Sequence, residues 1–392
     1  MRSEKPAATA AVALRGLAFG AAVLIPAIAA HAGGYDTGER DWDFLFQQDA
    51  VAFEGATRYI DPQRTLKNVM PAPGSILFGS TASVREAAPF SVERASLAVR
   101  LGDTTRCMGS YRQPWEGRAD YGSAWIGAPA ATAQNFTSND LGVTCAHATP
   151  FGMGNLLFIG GASYQDINYE LMQNVFGTPA TTRVSDSGVG WRGGIGYEIP
   201  QYALRATLIY NSAIGYDMTG TFTMGGPPTP IYGAITMPQS IELKAQSGVA
   251  PGWLAFGAIK WTDWSVAQSM PLCVVGTSCV QVSGLTLLWK DSWTITLGAA
   301  HQFNDALSVA SSFTWDQGAT QGFTSQTDTV TANLTAILTP HKNMELKFGG
   351  TIGILTAGSL DTGLGGTNPF GYTASFGNDI VYALSASAAV HY

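Results

Sequence analysis

Few side chains in this sequence have the type and spacing of a catalytic site. Four histidines follow residue 32: His147, His301, His341 and His391. The sequence contains no G-x-S-x-G elbow, no phosphate-cradling glycine loop and no H-E-x-x-H motif. Solvated or hydrogen-bonded histidines are therefore favoured over a lipase that carries serine and histidine on the outside of a barrel. The sequence predicts a protein that is not an enzyme and that binds no cofactor.

The four cysteines are the other residues with chemistry of their own: Cys107, Cys145, Cys273 and Cys279. An even number of cysteines in an exported chain indicates two disulfides. Pairing of Cys273 with Cys279 would close a short loop and leave Cys107 with Cys145, although the sequence does not exclude the two other connectivities. Only His147 stands near a cysteine pair, so structural disulfides are favoured over a metal site.

The N-terminus has the features of an export signal. Three basic residues lie before or at the start of an apolar run from Leu17 to Ala30, and Ala30-His31-Ala32 has the small-x-small form of a cleavage site. The run is too short for a transmembrane anchor and it contains Pro26. We expect residues 1–32 to be a signal peptide.

The composition restricts the class of protein. Charged residues make up 12% of the 392 residues, about half the usual share, and the formal net charge is −7. A protein that binds nucleic acid through its charge would carry a basic patch instead. The 46 glycines argue against a helical bundle, because each glycine weakens a helix by roughly 1 kcal/mol.

After the signal peptide, apolar and polar residues alternate in long segments. Val330, Ala332 and Leu334 share one face, for example, while Thr331 and Asn333 share the other. Such segments average about 13 residues, twice the length of a usual soluble strand and long enough to cross a bilayer at a tilt. We count fourteen of them: 50–60, 90–101, 104–113, 134–147, 153–167, 187–199, 201–214, 235–247, 251–265, 292–303, 305–317, 327–339, 342–356 and 377–392.

The connections between these segments alternate between long and short. Outer-membrane barrels have long external loops and short periplasmic turns, whereas a soluble sandwich has no reason to sort its loops in this way. The pattern predicts an all-β fold, an antiparallel transmembrane barrel of about 14 strands over residues 50–392. Aromatic residues cluster near the predicted strand ends, as in the girdles of such barrels.

The last segment alternates apolar residues from Ile380 to the terminal Tyr392. This pattern resembles the C-terminal signal by which barrels are handed to the barrel assembly machinery of Gram-negative bacteria. We therefore expect an outer-membrane protein that contacts outer-membrane lipid, or detergent once extracted, and that binds no nucleic acid.

Several segments together resemble one family, the long-chain fatty acid transporters of the FadL/TodX type. Met237–Ser265 contains a proline, a strand, the turn Ala250-Pro251-Gly252-Trp253, a second strand and Trp261-Thr262-Asp263-Trp264-Ser265. Three shorter segments match further family motifs in the same order along the chain: Tyr59–Pro62, Tyr111–Trp115 and Lys290–Trp293.

The resemblance implies a fourteen-stranded barrel closed by an N-terminal hatch. It also implies passive uptake of long-chain fatty acids or other hydrophobic molecules, with lateral exit through the wall near the third strand. Residues 33–49 would form the hatch, although this segment lacks the Asn-Pro-Ala box usual in the family. A channel for aromatic or other hydrocarbons and a water-filled diffusion porin are the alternatives.

Two sets of side chains are candidates for substrate contact. Strand parity points six cations into the lumen, where they could bind a carboxylate head group: Arg58, Arg192, Arg205, Lys244, Lys260 and Lys347. Pairing with acidic neighbours, which would brace the lumen, is the alternative role. Apolar residues in the connections 168–186, 215–234 and 266–291 could form an external docking groove or pack on one another as a cap: Leu171, Phe176, Phe222, Met224 and Tyr232.

Overall fold

The computed structural model describes residues 34–38, 42–360 and 371–392. The predicted signal peptide lies outside these residues. Within them the chain is mainly β-structure, with short 3-10 helices at Asp43–Phe46, Pro200–Tyr202 and Trp264–Val266. Among the described residues, none of the helices has the length and apolar character needed to span a membrane.

The strands are numbered here in chain order. They are β1 (Val51–Pro62), β2 (Thr65–Pro71), β3 (Val84–Arg85), β4 (Phe90–Leu101), β5 (Thr105–Arg112), β6 (Glu116–Asp120), β7 (Ala133–Phe151), β8 (Gly154–Val175), β9 (Thr178–Ile199), β10 (Leu204–Asn211), β11 (Ile214–Met224), β12 (Thr229–Met237), β13 (Ser240–Ala250), β14 (Trp253–Thr262), β15 (Ser269–Val274), β16 (Gln281–Thr286), β17 (Ser292–Asn304), β18 (Leu307–Asp316), β19 (Thr329–His341), β20 (Met344–Leu355), β21 (Gly358–Leu360), β22 (Tyr372–Phe376) and β23 (Asp379–His391).

Fourteen of these strands form a closed antiparallel barrel, as predicted. They are β1, β4, β5, β7, β8, β9, β10, β13, β14, β17, β18, β19, β20 and β23. Closure comes from β1, which pairs with β4 on one side and with β23 on the other. A closed barrel leaves no unpaired sheet edge, which is a requirement for backbone that crosses hydrocarbon.

The barrel has its apolar side chains outside and its polar side chains inside. On β19, Leu334 is 60% exposed, whereas its neighbour Thr335 is 1% exposed. Tyr202, Trp253 and Trp293 are exposed near strand ends, in agreement with the predicted girdles. This arrangement suits a wall that faces lipid and encloses a polar lumen, and it confirms the strand parity assigned from the sequence.

The connections predicted as loops are largely strands. β8 and β9 run on to Val175 and Thr178 and leave only a two-residue turn, Phe176-Gly177. The other two long connections contain the hairpins β11–β12 and β15–β16, which extend the sheet beyond the barrel rim. The loop prediction was wrong here because alternate apolar residues in these segments pack against one another, and that packing favours extended strands.

A second sheet, in the order β21-β22-β2-β3, comes from the first and last long connections. Its apolar residues, among them Leu66, Leu360 and Tyr372, pack into one cluster with Trp125. This sheet lies at the end of the barrel opposite the C-terminal Tyr392, where the long connections gather.

Both predicted disulfides are present. Cys107 and Cys145 face each other directly in the register of β5 and β7 and are bonded. Cys273 and Cys279 close the short loop after β15.

Candidate functional site

A cavity of about 190 Å³ lies at the end of the barrel where the long connections meet. Pro62, Phe90, Thr329 and Leu355 mark the rim, because they stand at the outer ends of β1, β4, β19 and β20. The lining includes twelve aromatic or large aliphatic side chains: Tyr35, Phe90, Tyr121, Tyr169, Leu171, Leu285, Leu287, Trp289, Phe323, Leu355, Leu360 and Tyr372. Such a lining suits a hydrophobic ligand.

Tyr35 is held in the cavity wall by aromatic contacts. Its ring stacks on Phe136 with centroids 4.5 Å apart and meets Trp289 edge-on at 5.0 Å. The ring also lies against Gly117, where an added Cβ would come within 2.4 Å of it. Glycine at position 117 therefore lets Tyr35 approach the wall closely.

One buried cation, Arg64, lines the cavity, and protein groups already satisfy it. Its guanidinium donates hydrogen bonds to the carboxylate of Asp379, to the hydroxyl of Thr327 and to three backbone carbonyls at 2.9–3.3 Å. The same group lies 4.3 Å from the ring centre of Phe376. Arg64 thus braces the surrounding connections.

Two acids also line the cavity, Glu86 and Glu116. Burial raises the pKa of the Glu116 carboxyl to about 8, although the backbone of Ser138 and the charge of Arg118 oppose this rise. Burial also raises the pKa of Glu86, whose carboxylate accepts a hydrogen bond of 3.1 Å from the Tyr121 hydroxyl. At neutral pH Glu116 is therefore largely protonated and can both donate and accept hydrogen bonds.

Below the cavity, the N-terminal segment occupies the lumen. The described part of this segment is residues 34–38 and 42–49. Asp36 pairs with Lys260 at 2.7 Å, and Asp43 pairs with both Arg205 and Lys244. These pairs link the segment to β14, β10 and β13 of the wall.

Aromatic residues of the same segment add contacts with wall cations. The Trp42 ring has the guanidinium of Arg112 at 3.9 Å and that of Arg192 at 4.2 Å. Arg205 lies 4.4 Å from the ring centre of Phe46, besides its pairing with Asp43. Around the 3-10 helix, Phe44 and Leu45 pack on apolar residues that include Met108.

The six predicted lumenal cations are buried or nearly so, and each has a protein partner. Three of them hold the carboxylates of the N-terminal segment, as described above. Arg58 donates to the carbonyl of Thr37, Arg192 to the hydroxyl of Thr144, and Lys347 pairs with Glu345 at 2.9 Å. None of the six lines the cavity.

The five residues of the predicted external groove separate into two groups. Leu171 is buried and lines the cavity, and Phe222 packs against the same apolar cluster. Phe176, Met224 and Tyr232 are exposed, and the Phe176 ring stacks on that of Phe78 with centroids 5.9 Å apart. The structure thus brings only part of the predicted set to the cavity.

The barrel wall is interrupted next to the cavity. The ladder between β4 and β5 ends at the pair Arg94 and Arg112, and β6 resumes pairing on β7 at Glu116. In between, the N-terminal segment supplies the hydrogen bonds: the Thr37 amide donates to the Pro114 carbonyl, and the Glu116 amide donates to the Tyr35 carbonyl. Between β5 and β6 the chain is therefore paired with the N-terminal segment instead of with β4.

Comparison with known proteins gives a family match and similar solved structures. The family model described as outer membrane protein transport protein (OMPP1/FadL/TodX) matches residues 158–330. The crystal structure of a Pseudomonas aeruginosa FadL homologue superposes with a TM-score of 0.75 at 14% identity, over 93% of this chain and 97% of that one. The chain has the barrel fold of that homologue, and residues 158–330 are similar to the OMPP1/FadL/TodX family. The toluene transporter TodX of Pseudomonas putida has a TM-score of 0.61 at 13% identity, over 94% and 97% of the two chains.

A curated relative of this chain has a named substrate. The long-chain fatty acid transport protein of Salmonella typhi is 25% identical over an alignment of 151 residues, and the match covers 33% of this chain and 33% of that protein. The match therefore spans about a third of that relative's length. Together with the barrel fold, the family match places this protein in the outer membrane.

The sequence did not reveal the acids and the arginine of the cavity. Arg64 and Glu86 belong to a long connection without strand periodicity, so parity could not orient them. Glu116 directly follows the Tyr111–Trp115 motif, and this position was the one feature of the sequence that could have pointed to it.

Proposed function

We propose that this protein is a passive channel that takes up hydrophobic molecules across the outer membrane. The cavity at the outer end of the lumen carries this proposal, because a lining rich in aromatic and aliphatic side chains suits a hydrophobic ligand, whereas a channel for ions or sugars needs a charged or polar constriction. A water-filled porin is disfavoured by the N-terminal segment, which occupies the lumen below the cavity through ion pairs and aromatic contacts.

The route that we propose turns sideways at the cavity. Residues 33–49 act as the hatch and block the way down, while the interrupted ladder beside Pro114 offers an exit into the membrane. The exposed aromatic rings of Phe78 and Phe176 at the outer surface would capture the molecule first.

Two substrate classes are candidates. Long-chain fatty acids are supported by the sequence resemblance and by the name of the Salmonella typhi relative. Aromatic hydrocarbons are favoured by the cavity volume of about 190 Å³, which is close to that of engineered cavities of about 150 Å³ that bind benzene.

Ligand binding to the purified full-length barrel in detergent tests the proposal, with dodecanoate and toluene as probes and calorimetry as the readout. Leu287→Trp fills the cavity and should abolish saturable binding of the true substrate. Leu334→Trp makes the same change on the lipid-facing wall and should leave binding as it is.

Lysine and arginine variants locate the head group. If Arg205→Ala or Lys260→Ala weakens dodecanoate binding while Leu287→Trp does not, the carboxylate binds in the lumen and the cavity is not the site. Unchanged binding of both probes in Leu287→Trp would refute the proposed role of the cavity.

A further inference from the structure

We propose that the cavity selects uncharged, ring-sized molecules that carry a hydroxyl group, and that Glu116 recognises this hydroxyl. This inference rests on the proposed function. Phenols and aromatic alcohols are the chemical class that fits. The argument has three steps, concerning size, charge and hydrogen bonding.

The size of the cavity limits the ligand to about one ring. Its volume is about 190 Å³, whereas pockets for larger ligands usually measure about 300–1,000 Å³. Tyr35 and Trp289 supply aromatic surface against which a ring can pack. A long alkyl chain could enter only in part.

The charges of the cavity disfavour a carboxylate. Arg64 is already occupied by Asp379, by Thr327 and by three carbonyls. Arg118, the other cation of the lining, is exposed, so water screens its charge. An ionised ligand would therefore lose its hydration without gaining a buried cation. The same desolvation raises the pKa of Glu86 and Glu116.

The polar lining also disfavours a plain hydrocarbon. Such a ligand would cover the buried Glu116 carboxyl and offer it no hydrogen bond, which costs free energy. A hydroxyl on the ring can donate to this carboxyl or accept from it. Glu86 lines the cavity too, but Glu116 is the acid that stands at the interruption of the wall.

The position of Glu116 links recognition to the proposed exit. Glu116 is part of the cavity lining, and its backbone amide donates to the Tyr35 carbonyl at the interruption of the wall. A ligand hydroxyl bonded to Glu116 would place the ring next to Tyr35 and beside the break between β4 and β5.

Three probes of similar size that differ in one substituent test the inference: toluene, phenol and benzoate. Their binding to the full-length protein in detergent at pH 7 is measured by calorimetry. One hydrogen bond predicts that phenol binds about threefold to tenfold tighter than toluene. Benzoate should bind at least about tenfold weaker than phenol because its charge must be buried.

Variants of Glu116 assign the preference to this residue. Glu116→Leu should bring phenol to the level of toluene without weakening toluene, whereas Glu116→Gln retains hydrogen-bonding groups and should keep most of the preference. Asp120→Asn alters an exposed acid of the same strand and serves as the matched control.

The outcomes separate this inference from the proposed function. Toluene that binds as tightly as phenol, benzoate that binds tightest, or a preference that survives Glu116→Leu would each overturn the inference and leave the hydrophobic channel standing. Failure of all three probes to bind would overturn both the inference and the role of the cavity.

Discussion

Removal of the Asp43 charge should release the N-terminal segment from the wall. Asp43 lies between Arg205 and Lys244, with its carboxylate 9% exposed and the two cations 8% and 16% exposed. Asp43→Asn leaves both cations buried without this partner. Loss of one member of a buried pair typically costs about 3–5 kcal/mol.

This cost destabilises the docked state of the N-terminal segment and not the closed barrel around it. The ratio of undocked to docked segment should therefore rise by about two to three and a half orders of magnitude. The aromatic contacts of Trp42 and Phe46 remain, so the variant barrel should still fold.

Conductance in planar lipid bilayers measures the effect directly. The parent protein should show conductance near zero, and Asp43→Asn should show frequent openings, since the unblocked lumen is lined by polar side chains. Asp49→Asn is the control, because Asp49 is 44% exposed and forms its ion pair with His391, away from Arg205 and Lys244. If Asp43→Asn is as silent as Asp49→Asn and melts at the same temperature, the ion pairs do not hold the segment in place.

Three further predictions concern the barrel wall and the strand β6 that adjoins it. Gly117→Ala should displace Tyr35 and weaken ligand binding several-fold, whereas Gly109→Ala, which has open space for a Cβ, should bind normally in the same calorimetric assay. Because the pKa of Glu116 is raised to about 8, its contribution to the free energy of unfolding should fall as the pH rises from about 4.5 to about 8. Thermal melts of Glu116→Gln should lack this part of the pH dependence, and an unchanged profile would show that Glu116 is not buried in its neutral form. Cys107→Ser opens a disulfide that spans 38 residues and should lower the free energy of unfolding by at most about 4 kcal/mol, as measured by chemical denaturation against the parent protein.

The sequence by itself determined the barrel. Alternation with period two, strand length and the sorting of long and short connections depend only on local geometry and on the thickness of a membrane. These patterns were sufficient for the fourteen strands and for their parity at residues such as Arg205 and Lys260. The cysteine pairs were favoured but not fixed by the sequence, and the N-terminal hatch was implied by the family resemblance.

Only the tertiary structure decided what the lumenal cations do and where the cavity lies. Parity shows that Arg205 points inward, but it does not show that Asp43, 162 residues away, is its partner. Arg64 and Glu86 lie in a connection without periodicity, and their positions depend on packing against other connections. The loop prediction for 168–186 failed for the same reason: strands form there because Leu171 and its neighbours gain apolar contacts with residues distant in the sequence. Local pattern fixes which way a side chain points along a strand, whereas its partners depend on contacts that no local pattern encodes.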